Sequence, residues 1–219
     1  MEARSIYGKT PLTQEFLDKF PSNCLQNMTV ITDTRPVSLF MEPVRFAQDP
    51  ATLAPHMPSV QDYAYWVLLF RSSLLNIDDK LFTMSKEEIK ELTISLTKEW
   101  HEPIRSIFEM QITSQSSALL ISSAKPQLPT WTATNVTLLG DAIHPMLPTG
   151  ASGANTALRD AGKLLQVIKN GAGVEDIAKY EQEMREYAAV VVQEAYQGGR
   201  MLGHVVEFEN AKPLVWNIQ

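Results

Sequence analysis

Residues Val136 to Leu165 read VTLLGDAIHPMLPTGASGANTALRDAGKLL. Val136–Leu139 is a compact apolar run that predicts a buried strand, and it ends in Gly140-Asp141. The C-terminal ends of strands in open α/β sheets are where ligands bind, and a carboxylate at such an end can accept hydrogen bonds from a ligand hydroxyl. Residues 142–152 then form a loop with Pro145 and Pro148, and Pro148-Thr149-Gly150-Ala151-Ser152-Gly153 feeds the start of a helix predicted over Gly153–Lys169. The free N–H groups and dipole of a helix start favour negative charge on a ligand. Gly150 and Gly153 permit close backbone approach there. Ala154, Ala157, Ala161, Leu164, Leu165 and Ile168 are expected on the inner side of this helix.

Outward from this segment, Gly171 and Gly173 break the helix, and a long helix is expected over about Glu175–Gln197, with Ile177, Tyr180, Met184, Tyr187, Val191 and Ala195 on its apolar side. The first half of the chain differs. The residues after Met1 read as the edge of a strand, and Thr13–Phe20 as a short helix bounded by Pro11 and Pro21. Strands are expected over Met28–Thr32, Val37–Phe46, Asp62–Ser72 and Ile112–Ser123, with Pro43 marking an edge or a bulge and the proline-rich 48–60 a loop. Ser85-Lys86-Glu87-Glu88 is a capping box that opens a helix with Ile89, Leu92, Leu96 and Trp100 as its stripe, and Pro103 opens a second helix to about Met110. Antiparallel strands interspersed with helices give the class as α+β, with residues 1–130 as one region and 131–219 as another.

Composition narrows the function. The 219 residues carry 19 Lys+Arg against 25 Asp+Glu, a net charge of -6, with no basic block of the kind that nucleic acids or anionic membranes select. No apolar run approaches the ~20 residues of a membrane span, and Met1–Lys9 shows no secretory signal, so a cytoplasmic protein is expected. The single Cys24 leaves no internal disulfide framework or cysteine-rich zinc site. The four histidines, His56, His101, His144 and His204, form no metal-spaced pair, so no metal is expected. His144, three residues after Asp141, is the histidine placed to act in the loop, and where the pocket holds no cofactor it and Asp141 are the candidate acid/base pair.

The long motif resembles the second flavin-contacting motif of the class A flavoprotein monooxygenases, the p-hydroxybenzoate-hydroxylase-like aromatic hydroxylases: GD, then A-x-H, then P-x-x-G-x-G-x-N, then a helix with a D-A pair. Here these are Gly140, Asp141, Ala142, His144, Pro148, Gly153, Asn155, Asp160 and Ala161. The segments IYGKTPLT, SLFMEPVRF, DYAYWVLLFR and the EW-HEPIRSIFEM helices are similar to the same family's substrate domain. The resemblance implies an antiparallel substrate-domain sheet, followed by a remnant strand–loop–helix of the FAD-binding domain and a long C-terminal helix. It implies FAD as cofactor and NAD(P)H as a possible electron donor, with O₂ activated for hydroxylation or epoxidation of a small, often aromatic substrate. Cofactor contacts would come from Gly140, Asp141, Pro148, Gly150, Gly153, Ala154 and Asn155, with Asp141 on the ribityl chain. The amides of Gly153, Ala154 and Asn155 would face negative charge on the ring. Arg45, Trp66 and Arg71 lie on strands that resemble the substrate sheet and are candidates for the substrate pocket, with a structural role as the alternative for each.

Two departures matter. The family pattern has glycine where this chain has Ala151, whose methyl either crowds the ring or demands an unfavourable backbone angle, unless its φ is negative. The G-x-G-x-x-G that grips the FAD pyrophosphate is absent from the sequence; Gly171-Ala172-Gly173 follows a helix, and Asp176 stands at the third glycine. The chain thus reads as a truncated form, and its Val136–Leu139 strand as an orphan that dimerisation, a partner chain or rearranged helices should cover. Three functions stay open: a flavin-dependent monooxygenase-like enzyme, a flavin-less relative acting as isomerase or cyclase on a small hydrophobic metabolite, and a non-catalytic truncated fragment.

Overall fold

The structure is a computed structural model describing residues 3–74, 80–201, 205 and 207–211; His204 lies outside them. Two compact units divide at Leu120/Ile121.

The first unit is a five-stranded antiparallel sheet in the order β2-β3-β4-β1-β5, with β1 Ala3–Pro11, β2 Thr29–Thr32, β3 Val37–Val44, β4 Tyr63–Arg71 and β5 Ser117–Leu120. The first strand, read from sequence only as a strand edge, sits between β4 and β5. Alternation explains the placement. Ile6, Gly8 and Thr10 point inward with Ala64, Trp66, Leu68 and Phe70 of β4, all buried, while Tyr7, Lys9 and Tyr65 face the other way. Gly8 pairs with Trp66 across the ladder, and a Cβ on Gly8 would stand 2.3 Å from the indole Cζ2. The indole Nε1 donates to Thr10 Oγ1 (3.0 Å), whose hydroxyl donates to the Ile107 carbonyl (2.5 Å). Phe108 packs edge-on at 5.0 Å between ring centroids.

Helices α1 Gln14–Lys19, α3 Lys86–Leu96 and α4 Glu102–Glu109 bring Phe16, Ile89, Leu96, Ile107 and Phe108 into the same core. The capping box closes in both directions: Glu88 N donates to Ser85 Oγ, and Ser85 N to Glu88 Oε2 (2.7 Å). Pro43 lies in the ladder opposite Ala64. It is tolerated because β2 stops pairing at Met41, so no donor is needed on that side. Three elements differ from expectation. Within 48–60, Asp49 caps a short helix, α2 Pro50–Leu53. The strand expected from Ile112 opens instead with a 3₁₀ turn, Thr113–Gln115, because Ser116 Oγ is drawn inward to Gln111 Oε1 (2.5 Å). Trp100 lies beyond the end of α3 and donates from Nε1 to Asp33 Oδ2 (2.7 Å).

The second unit is built on α5 Gly153–Lys169 and α6 Val174–Met201, joined by a turn with Gly171 at φ 101° and Ala172 at φ 54°. The expected inner face of α5 is rotated: Thr156 and Asp160 are buried and Ala157, Leu164 and Val167 half-buried, whereas Ala154, Ala161, Leu165 and Ile168 are exposed. The face turns because Asp160 finds partners inside. On α6 the buried stripe runs through Ile177, Tyr180, Met184, Ala188, Val192 and Ala195, with Tyr187 and Val191 half-buried beside it. Val136–Leu139 is not a strand. It pairs with no strand among the described residues and lies against α6, held by side chains. Tyr180 Oη donates to the Leu138 carbonyl (3.0 Å), while Thr137 Oγ1 and Trp131 Nε1 both donate to the buried Glu181 carboxylate (2.9 Å each). The outer side stays open, with Val136 75% exposed. Among the described residues no helix is long and apolar enough to cross a membrane.

Candidate functional site

Gly140 takes φ +60°, and its carbonyl accepts from Ile143 N and His144 N (3.0 Å each), so the chain turns sharply at the end of the extended segment. Any side chain here would meet the left-handed penalty and approach Ala157 Cβ at 3.2 Å. Asp141 follows with an exposed carboxylate that has no hydrogen-bond or ion-pair partner among the described residues. The expected pairing of Asp141 with His144 is not what the structure shows. His144 is fully buried and its Nε2 sits 2.6 Å from Asp160 Oδ2, so His144 supports the turn from behind.

The loop returns through a 3₁₀ turn at Pro148–Gly150 to α5. Thr149 Oγ1 donates to the Ala195 carbonyl (2.6 Å). Added Cβ atoms on Gly150, Gly198 and Gly199 would stand 3.3 Å from Ala195 Cβ, 3.3 Å from Thr149 Cβ and 2.6 Å from Leu147 Cδ1. Small residues on α6 therefore seat the loop, and Gly150 serves this packing. Ala151 is left-handed, at φ 48° and ψ 22°. The methyl thus occupies a backbone state that favours glycine, which is where the family pattern has one.

Ser152 precedes α5 but does not cap it, since its hydroxyl donates back to the Gly150 carbonyl (2.7 Å). The first amide with a helical acceptor is Thr156 N, on Ser152 O. The amides of Gly153, Ala154 and Asn155 are left for an outside acceptor, at the positive end of a 17-residue helix with no acid in its first turn.

Gly140, Asp141, Pro148, Gly153 and Ala154 line one cleft of about 690 Å³, with Ala151, Met146 and Ala157 among its other walls; Gly150 and Asn155 are outside the lining. A hydroxyl acceptor at one wall and free amides at the other fit the polyol and the electron-rich edge of a flavin, and glycine at 140 and 153 keeps both walls low. The residues present therefore fit the ring side of FAD. For the pyrophosphate the sequence offers no glycine loop.

The three substrate candidates are not brought together. Trp66 is fully buried on the inner face of the sheet, locked by Gly8 and Thr10, so it is a core residue. Arg45 is exposed just past β3, its Nη1 donating to the Leu25 carbonyl (3.1 Å), whereas Arg71 pairs with Ala3 at the far end of β4. The outer face of the sheet carries Tyr7, Lys9, Phe40, Tyr63, Tyr65 and Val67 instead, with Lys9 Nζ 4.5 Å from the Tyr63 ring centroid. Burial, and then the neighbouring Tyr7, push the Tyr65 phenol up from its ordinary value. The strand alternation of Tyr7-Lys9 against Ile6-Gly8-Thr10 carried this signal. The Gly198-Gly199 pair inside a helical pattern was the corresponding signal for the loop seat.

Comparison with known proteins places the chain in a family. The dual O-methyltransferase/FAD-dependent monooxygenase CTB3 of Cercospora beticola is 38% identical over 85% of this chain and 24% of its own length. The dual O-methyltransferase/FAD-dependent monooxygenase elcB of Phaeosphaeria nodorum is 34% identical over 91% of this chain and 26% of its own. This chain thus spans about a quarter of the curated relatives it matches. A crystal structure from Photorhabdus luminescens, of a protein assigned as an FAD-containing monooxygenase, superposes with a TM-score of 0.75 at 30% identity, over 94% of this chain and 55% of that one. The model of the FAD binding domain family matches residues 22–195, and the chain belongs to that family, that of the class A FAD-dependent monooxygenases.

Proposed function

We propose that this chain forms the ring-facing and substrate-facing part of a flavin-dependent monooxygenase acting on a small organic substrate, aromatic or of the secondary-metabolite type. The observation that carries this reading is the single cleft shared by the Gly140-Asp141 turn and the uncapped start of α5. Residues 131–219 serve the cofactor and 1–130 the substrate. Bound FAD supplies O₂ activation, with NAD(P)H as electron source. The chain's own residues bind and orient. Asp141 accepts from a polyol hydroxyl, the amides of Gly153 and Ala154 hold negative charge on the ring, and Met146, Leu147 and Pro148 exclude water. The aromatic outer face of the sheet, Tyr7, Phe40 and Tyr65, is the surface for a flat substrate, in place of Trp66. Adding FAD to the purified chain and following flavin absorbance, then NAD(P)H oxidation, tests the reading. Stoichiometric flavin uptake is expected, and a protein that stays colourless at any FAD concentration refutes it.

A second reading has its own support. The Ala151 methyl, held left-handed in the cleft lining where the family pattern has glycine, favours a flavin-less relative acting as isomerase or cyclase on a small hydrophobic metabolite. Turnover of a metabolite without flavin or NAD(P)H would establish it. The open side of Val136–Leu139 supports coverage by a second copy or a partner chain in the cytoplasm. Light scattering after size exclusion is expected to show a dimer, and a monomer refutes self-association.

A further inference from the structure

Asp160 is fully buried on α5 and receives three donors: Gly140 N at 2.7 Å and His144 Nε2 at 2.6 Å on Oδ2, and Tyr187 Oη at 2.5 Å on Oδ1. They come from the GD turn, from the loop that follows it, and from α6. A carboxylate removed from water needs such donors to offset its lost hydration. A carboxylate only accepts, so His144 carries its proton on Nε2; its Nδ1 is buried with no hydrogen-bond partner among the described residues. Burial and then the Asp160 bond push the Tyr187 phenol up, which keeps it a donor at neutral pH. The Arg159 guanidinium lies 3.9 Å from the centroid of the same ring.

This carboxylate stands where the two walls of the cleft are joined. One wall is Gly140-Asp141, gripped through Gly140 N; the other is the start of α5, two turns back along Asp160's own helix. We propose that Asp160 is the positioning residue of the flavin subsite: through Gly140 and His144 it sets where the Asp141 carboxylate stands relative to the free amides of α5, and so fixes the orientation of a bound flavin. The inference rests on the flavin reading above and goes beyond the motif, since Asp160 itself touches no ligand.

The test compares the full chain with Asp160→Asn, which keeps the size but turns a donor toward groups that donate, and with Tyr187→Phe, a milder change that keeps the ring. Without flavin, NMR reads the His144 ring tautomer and the exchange of the Gly140 amide. Asp160→Asn is expected to lose the Nε2–H form and to speed Gly140 exchange by about 10-fold or more, while amides at 188–192 hold; Tyr187→Phe moves both in the same direction by less. With FAD at saturation, the visible circular dichroism of the bound flavin should change in Asp160→Asn, and its Kd should rise about 10-fold. A carboxylate that only stabilises the fold would lower the melting temperature and leave that spectrum at saturation unaltered, which overturns the proposal. If the unmodified chain binds no FAD, the flavin reading falls. The joining of the two walls is then decided by the NMR arm, and an unchanged His144 and Gly140 in both variants overturns it.

Discussion

Replacing Ala151 by glycine is expected to stabilise the second unit and tighten flavin binding together. Ala151 sits at φ 48° and ψ 22°, and its methyl lines the cleft and is exposed, so its removal forfeits almost no packing. The left-handed region costs an L-residue about 1–2 kcal/mol, whereas glycine adds about 0.5–1 kcal/mol of unfolded-state entropy. The balance favours glycine by roughly 0.5–1 kcal/mol. Ala172 provides the control: it is also left-handed, at φ 54°, and exposed, but lies in the α5–α6 turn away from the cleft lining. Ala172→Gly should give a similar gain with no change in flavin affinity, and the double variant should add. Urea unfolding followed by a fluorine label on Trp131, which packs in the second unit, reads that unit alone. The reasoning is refuted if Ala151→Gly lowers the midpoint or leaves it fixed while Ala172→Gly raises it, or if FAD binds Ala151→Gly no better than the unmodified chain.

Gly8→Ala drives a methyl to 2.3 Å from the Trp66 ring and should cost roughly 1–3 kcal/mol, seen as a lower urea midpoint for the first unit. The Arg35 guanidinium, on Asp33 at 2.5 Å, with Trp100 adding a further bond, holds the Asp33 carboxyl well below its ordinary 3.8. A depressed carboxylate stabilises above its unfolded value, so the first unit should weaken as pH falls below about 4, and Asp33→Asn should remove that part of the acid limb in a pH series of unfolding curves. At the other extreme, the raised phenols of Tyr180 and Tyr187 stabilise below their ordinary 10.0. The second unit should therefore lose stability above pH 10, less steeply in Tyr187→Phe. Thr149→Val removes the bond to the Ala195 carbonyl and should loosen the loop by about 1 kcal/mol, measured as faster exchange at Ala151, whose amide donates to the Pro148 carbonyl.

What could be read from sequence follows the range of the interactions involved. The Ser85–Glu88 box, the short helix between Pro11 and Pro21 and the strand of Tyr63–Arg71 are set by neighbours a few residues apart, and they stand as the sequence implies. The glycine-bearing loop and the helix start around the cleft were legible for the same reason. The face of α5 was not. Its apolar residues alone suggest one inner side, but Asp160 has donors 16 to 27 residues away, and three hydrogen bonds outweigh the burial of Leu165 and Ile168. Trp66 misleads in the same way, since nothing local shows that Gly8 and Thr10 on another strand hold it inside. Val136–Leu139 has the composition of a strand, but a strand is a property of pairs, and its bonds go to side chains of α6.

Two adjacent glycines near the end of α6 leave that stretch of helix weak in its own right. Each costs about 1 kcal/mol relative to alanine in a helix interior. Gly199 permits Leu147 to lie against the helix, and Thr149 bonds to a carbonyl in the same turn. The end of α6 and the 147–150 loop therefore melt as one cooperative segment, at a lower free energy than the middle of the helix. Whatever orders the cleft wall steadies the last turns of α6, so amide exchange at residues 195–201 reports, from outside the cleft, on what lies inside it.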